Sequence, residues 1–245
     1  MREQAPFPLP KRRPTLVPKP QGKRGFTLVE IVVVLGIILM ILGFAAPAVV
    51  GMLRGKKVEQ ALAVVSDVLE RTRMEAVTQN TYLWAGFSNV PMSETPSGQD
   101  ELWILSFRGK TGEARIPADP ASILPAGALR RVEGITLVPN TSLPERLASL
   151  FPQGAKDFIL EPPSIKPLNW AGAGASGARL FDKLILFTPR GEALLETGSN
   201  DTPVPDAYLW LGLSRTINKQ VAQNEKDAAA VSISGLTGRV LSVRP

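Results

Sequence analysis

From position 31 to position 53 the chain carries no charged side chain, and few folds can accommodate such a run. As a helix rising ~1.5 Å per residue, these 23 positions would extend ~35 Å, enough to cross a hydrocarbon core of roughly 30 Å. A helix inside a soluble core rarely stays apolar on every face for that length. The expectation is a membrane-spanning helix over 26–53. Its flanks orient it: Arg2, Lys11, Arg12, Arg13, Lys19, Lys23 and Arg24 precede the run, whereas Arg54, Lys56 and Lys57 are the only basic residues that follow closely. The positive-inside rule then puts the N-terminus in the cytoplasm and residues beyond about 54 outside. A secretory signal is the rival reading, because Ala46-Pro47-Ala48 has the A-x-A form of a cleavage site and its product would begin at Val49. Against it, the apolar run upstream exceeds the usual h-region of roughly 7–15 residues, and Glu30 lies within its start.

A formal net charge of +6 is the balance expected of a chain with an anionic partner, but its distribution removes that inference. Residues 1–25 hold seven basic side chains against the single acid Glu3, and the remaining positions balance at 21 of each sign. The basicity belongs to the tail. The same tail is studded with Pro6, Pro8, Pro10, Pro14, Pro18 and Pro20 and reads as a disordered cytoplasmic extension. There are no cysteines and no histidines. Disulfides, Cys or His zinc sites, and Ser-His-Asp or Cys-His catalysis are therefore excluded. No cofactor or metal is expected, and no enzymatic activity.

Glu30 at the head of the apolar run needs an explanation. Thr27-Leu28-Val29-Glu30 fits a capping box, with Thr27 as N-cap and Glu30 reaching back, and the helix dipole favours a carboxylate there. Neither effect requires an ionisable group beside hydrocarbon, where an acid at a helix centre costs ~2.5–3.5 kcal/mol. Taken in order, Lys23-Arg24-Gly25, Phe26-Thr27-Leu28-Val29-Glu30 and the apolar helix resemble the N-terminal signature of type IV prepilins and pseudopilins. The resemblance implies cleavage by a prepilin peptidase between Gly25 and Phe26, N-methylation of Phe26, and a register role for Glu30. That carboxylate would pair with the new α-amino group of Phe26 on a neighbouring subunit. Implied partners are the peptidase, other pilin or pseudopilin subunits, an inner-membrane assembly platform and the lipid bilayer. Pro47 removes a helical hydrogen bond and is expected to kink the span.

Beyond the span the helix is expected to continue over 54–80. Val58, Leu62, Val65, Leu69, Thr72 and Ala76 alternate at spacings of four and three, one stripe of an amphipathic helix that packs on a domain. Glu59, Asp67, Glu70, Arg71, Arg73 and Glu75 occupy the other face. Residues 81–245 form the β-rich extracytoplasmic domain. Strand-like runs occur at 81–87, 101–108, 131–138, 158–160, 183–188, 192–196, 208–213, 230–234 and 239–243. Pro189-Arg190-Gly191 and Gly235-Leu236-Thr237-Gly238 are turns. The insert at about 139–180 reads as loop with one short helix at 144–150. The fold class is α+β: a long N-terminal helix packed on an antiparallel sheet. Leu186-Phe187-Thr188-Pro189-Arg190-Gly191-Glu192 and Ile233-Ser234-Gly235-Leu236-Thr237-Gly238-Arg239-Val240 resemble two hairpins of GspH/FimT-type minor pseudopilins. The stretch 80–87, with the closing Val243-Arg244-Pro245, is similar to the Verru_Chthon cassette protein D group.

Other motifs carry less. Gly172-Ala173-Gly174-Ala175-Ser176-Gly177 spells a dinucleotide fingerprint but lacks the strand before it and the helix after it. Glu70 with Glu75 and Asp201 with Asp206 are carboxylate pairs without supporting ligands. Arg239 and Arg244 would be the DNA-contacting residues of an uptake-type minor pilin, although a neutral domain makes nucleic acid a poor partner. The leading expectation is a structural assembly subunit of a type IV pilus or type II secretion-like filament. The alternatives are a filament-tip binding module and an unprocessed membrane-anchored domain.

Overall fold

The computed structural model describes residues 26–117, 120–160, 168–170, 179–195, 207–217, 220–222 and 224–245; side chains at 44–55, 120, 169 and 170 lie outside the described set. The protein is α+β, an N-terminal helix followed by a C-terminal antiparallel β domain. Helix α1 spans Leu28–Thr78, and the chain divides into two compact units, Met1–Pro47 and Ala48–Pro245.

In the second unit one face of α1 is core. Val58, Ala61, Leu62, Val65, Val68, Leu69 and Ala76 are all buried in one apolar cluster. The expected stripe is thus the packing face, Thr72 included. The Thr72 hydroxyl lies 2.6 Å from the Val68 carbonyl, to which it donates, and 2.6 Å from Ser106 Oγ, so a buried polar group is satisfied inside the stripe.

The strands are β1 (Leu83–Val90), β2 (Glu101–Gly109), β3 (Ile123–Pro125), β4 (Arg130–Glu133), β5 (Ile135–Val138), β6 (Ala155–Asp157), β7 (Leu168–Trp170), β8 (Arg179–Phe181), β9 (Lys183–Phe187), β10 (Ala193–Leu195), β11 (Tyr208–Ile217), β12 (Gln220–Val221), β13 (Ala228–Ser234) and β14 (Val240–Val243). They form two sheets and a ribbon among the described residues, not the one sheet expected. The first sheet runs β10-β9-β1-β2-β3 with β4 also on β2; the second runs β12-β11-β13-β14 with β5 and β6 also on β11; β7 and β8 pair alone. Every pairing is antiparallel except β6 with β11.

Period-two alternation explains why β1, β2 and β9 are apolar on both faces. Leu83, Ala85, Phe87, Leu102, Ile104, Ile185 and Phe187 share the cluster that contains the α1 stripe. Their neighbours Trp84, Trp103, Leu105, Phe107, Leu184 and Leu186 belong to a second cluster, with Leu168 and Phe181 of the ribbon. The second sheet repeats the scheme. Leu209, Leu211, Leu213, Ala229, Val231 and Ile233 join the α1 cluster, while Trp210, Ala228 and Ala230 pack with Leu143 and Leu147. Leu147 belongs to the short helix α2 (Glu145–Ala148). The insert at 139–180 therefore contributes α2 and the strands β6, β7 and the start of β8, more structure than a loop with one helix.

Three devices join the sheets. The run expected as one strand over 131–138 breaks at Gly134, whose φ of +69° turns the chain from β4 in the first sheet to β5 in the second. Asn89 of β1 works as a surrogate strand: its Nδ2 donates to Leu137 O at 3.0 Å and its Oδ1 accepts from Leu137 N at 2.9 Å. The two hairpin turns also meet. Ala193 N donates to Gly235 O at 2.8 Å, and Arg73 of α1 donates from Nε to Thr237 O at 2.8 Å. The adjacent Glu70 carboxylate, 3.5 Å from Arg73, accepts the Val240 amide at 3.0 Å. Glu70 and Arg73 thereby cover the edge of β14 that faces the helix.

Gly238 sits at this junction with φ +60°, and a Cβ there would fall 2.2 Å from Gly191 O and 2.9 Å from Arg73 Cδ. Gly154 has φ +76° with nothing within 4 Å of its Cβ position. Gly238→Ala is expected to lower stability by about 2–4 kcal/mol, combining backbone strain with overpacking. Gly154→Ala should cost only the strain, about 1–2 kcal/mol. Denaturant midpoints of the two variants test this, and equal losses would remove the steric role of the turn contact.

Candidate functional site

The start of α1 is where the sequence concentrates its chemistry. Phe26 and Thr27 precede the helix. Ile31 N donates to Thr27 O at 3.2 Å, the first helical bond, and Glu30 N donates to Thr27 Oγ1 at 3.2 Å. Thr27 is thus the N-cap, and Glu30 occupies the third helical position. The capping box is half made. The backbone amide of Glu30 is satisfied by Thr27, but its carboxylate makes no hydrogen bond or ion pair among the described residues, and the residue is exposed. The helix dipole favours an anion here. Gly25, the other expected cleavage-site residue, lies outside the described residues, as does the whole of the leader 1–25.

Every position from 26 to 43 is exposed. Phe26 and Leu28 are each 78% exposed, Leu39 67% and Met40 65%, so the segment offers apolar side chains in all directions. Contiguous apolar surface of this kind marks contact with another molecule or with lipid. Among the described residues no helix is long and apolar enough to cross a membrane; the uncharged sequence continues past Gly43 into positions whose side chains lie outside the described set. Pro47 falls there too. The helix assignment runs through it, and it is the last residue of the first compact unit.

Arg239 and Arg244 are not brought together. Arg244 pairs with Glu59 of α1. Arg239 lies at the other end of β14, exposed, with its amide donating to Thr237 Oγ1 at 3.3 Å. Five residues of extended chain separate them by ~16 Å, and Glu59 and Glu70 of α1 both touch that strand or its end. The balance there does not resemble a basic stripe. Glu70 and Glu75 are likewise occupied, the first at β14 and the second accepting from Gln79 Nε2 at 2.7 Å. Asp201, Asp206 and the glycine-rich 172–177 segment lie outside the described residues.

One cluster was not anticipated. Trp103 donates from Nε1 to Glu101 Oε2 at 2.7 Å, and the guanidinium groups of Arg131 and Arg179 stand 4.4 and 5.0 Å from its ring centroid. Arg179 also pairs with Glu94, beside an open groove lined by Ser93, Thr95 and Pro96. These positions span some eighty residues of sequence, so no local pattern could have grouped them. The Arg179–Glu94 pair and the Ser97–Glu101 hydrogen bond make the cluster a fastening for the loop that precedes β2.

Comparison with known proteins agrees with the emphasis on the helix start. Residues 20–46 match the family model of the prokaryotic N-terminal methylation motif. No curated protein and no solved structure matches the chain. The motif implies dealings with pilin-processing and assembly machinery and suggests an N-terminal membrane anchor. Over residues 20–46 the chain is thus similar to type IV prepilin-like proteins, and in this structure that stretch leads into a helix and an antiparallel β domain.

Proposed function

We propose that the chain is a minor pseudopilin, a structural subunit that a prepilin peptidase processes and an inner-membrane platform assembles into a short filament. The carrying observation is the Glu30 carboxylate, exposed and unpaired among the described residues, at the head of a helix whose 26–43 segment is exposed and apolar. Cleavage after Gly25 creates a cation, the α-ammonium of Phe26, four residues ahead of that anion. In a low-dielectric surrounding an isolated carboxylate is costly, and pairing offsets the cost only where geometry is good. Within one helix start the cap geometry leaves Glu30 unengaged; a neighbouring subunit supplies the partner and so sets the axial register. The peptidase then N-methylates Phe26, and a secondary amine keeps its positive charge.

In this reading the N-terminus lies in the cytoplasm, the 26–53 helix is stored in the inner membrane, and the β domain faces the periplasm. Pro47 supplies a place where the helix can loosen on transfer from membrane to filament. The work is packing, with no turnover. The β domain, neutral as a whole, selects partners through surface complementarity.

Two measurements test the reading. Glu30→Leu should leave cleavage and membrane insertion intact but reduce co-purification with filament subunits by at least about tenfold, the factor for a lost pair worth ~1.4 kcal/mol; undiminished incorporation would remove the register role. Because the chain lacks cysteine, Lys226→Cys gives a single thiol at an exposed β-domain position. It should react with a membrane-impermeant maleimide in intact spheroplasts, and reaction only after lysis would reverse the topology.

A further inference from the structure

We infer that the junction of the two hairpin turns with the end of α1 is a docking surface for a protein segment that carries carboxylates beside an apolar side chain. This deepens the reading above, in which the β domain selects partners, and rests on it.

The junction is firmly fastened, yet it exposes side chains that do nothing for the fastening. Turn tips are dominated by Gly, Asn, Asp, Ser and Pro, residues that serve the turn itself. In the 235–238 turn, Gly238 N donates to Ser234 O at 2.7 Å and Gly235 O accepts from Ala193 N at 2.8 Å. Thr237 O accepts from Arg73 Nε at 2.8 Å. The residue presented by this held backbone is Leu236, 68% exposed. On α1, Met74 is 58% and Val77 45% exposed, and a spacing of three makes them neighbours on the helix surface. Val77 Cγ2 lies 3.4 Å from the Cβ position of Gly191 in the 189–191 turn. Single exposed apolar side chains are ordinary on a protein surface. These three surround one junction, and none of them enters the buried clusters, which is the pattern of an interaction site.

Charge selects the occupant. Asp67 pairs with Arg71 and Glu70 with Arg73, while Glu75 accepts from Gln79 and Glu192 from Thr188. The carboxylates around the junction are therefore engaged within the chain. Arg190 and Arg239 flank the contact, one from each turn; both are exposed, and their guanidinium groups make no hydrogen bond or ion pair among the described residues. The turns meet at Gly191 and Gly238, so the two arginine Cα atoms lie within about 14 Å of each other. Two uncommitted cations beside apolar side chains complement an acidic stretch of protein, and Arg and Met are side chains that interfaces favour. Phosphates alone would use the arginines and leave Met74, Val77 and Leu236 in water. Because the turn backbone is already fixed, docking orders little that was free.

The test places the photo-crosslinker p-benzoylphenylalanine at position 74 of the full-length chain in its host cells. Illumination should give an adduct whose mapped partner peptide is acidic and carries an apolar residue. Its yield should fall at least about tenfold when Arg190→Glu and Arg239→Glu are combined, and about threefold in Leu236→Ser, since charge complementarity and a central apolar anchor both contribute. Changing the partner's acids to lysine should restore the yield in the charge-reversed chain. No adduct, an adduct with lipid or nucleic acid, a partner peptide without acids, or a yield indifferent to the arginine and leucine changes would each overturn the inference. A chain that keeps its leader would overturn the processing reading instead, whatever the adduct shows, so the two failures are distinguishable.

Discussion

Burial of one face of α1 between Val58 and Ala76 holds the β domain together. Both sheets contribute their inward residues to the cluster that contains this stripe, so neither has a complete interior without the helix. Each fully buried Val, Leu or Phe contributes about 1.5–3 kcal/mol relative to an exposed one, and the stripe meets such residues from β1, β2, β9, β11 and β13. Polar side-chain bonds between the helix and the sheets add to this. Thr72 anchors to Ser106, Glu70 and Arg73 fix β14 and its turn, and Arg244 ties the chain end to Glu59.

Among its described residues the first unit has no such interior. Its apolar residues from 26 to 43 are exposed, and exposed apolar surface in water is unfavourable in proportion to its area. A chain built this way needs a second solvent for that segment, supplied by lipid or by neighbouring helices. In this setting the helix start acquires its meaning. A hydroxyl performs the capping, and the Glu30 carboxylate is unpaired among the described residues. A charged group beside hydrocarbon is unstable alone and becomes favourable only beside a cation, and under the proposed processing an amino terminus released at Phe26 would be such a cation.

Much of this was legible in the sequence because it depends on local spacing. The four-and-three alternation from Val58 to Ala76 identified the packing face, and Thr27-x-x-Glu30 identified the cap, although the return bond from Glu30 is not made. The two turns flagged at Pro189–Gly191 and Gly235–Gly238 are real hairpins, but their convergence at Arg73 depends on contacts more than a hundred residues apart in the chain. A glycine inside an apparent strand gave no sign that Gly134 moves the chain between sheets; only its positive φ does. Asn89 reads as an ordinary strand polar residue until the Leu137 backbone is placed opposite it. Arg239 and Arg244 are close in sequence yet fall at opposite ends of an extended strand, one of them paired. Non-local pairing is what a periodicity argument cannot contain.

The most direct test of the account is the mass of the N-terminal peptide of the protein taken from its native membranes. The account predicts a chain beginning at Phe26, heavier by one methyl group on its amino terminus. An intact Met1, or a chain beginning at Val49, would contradict it.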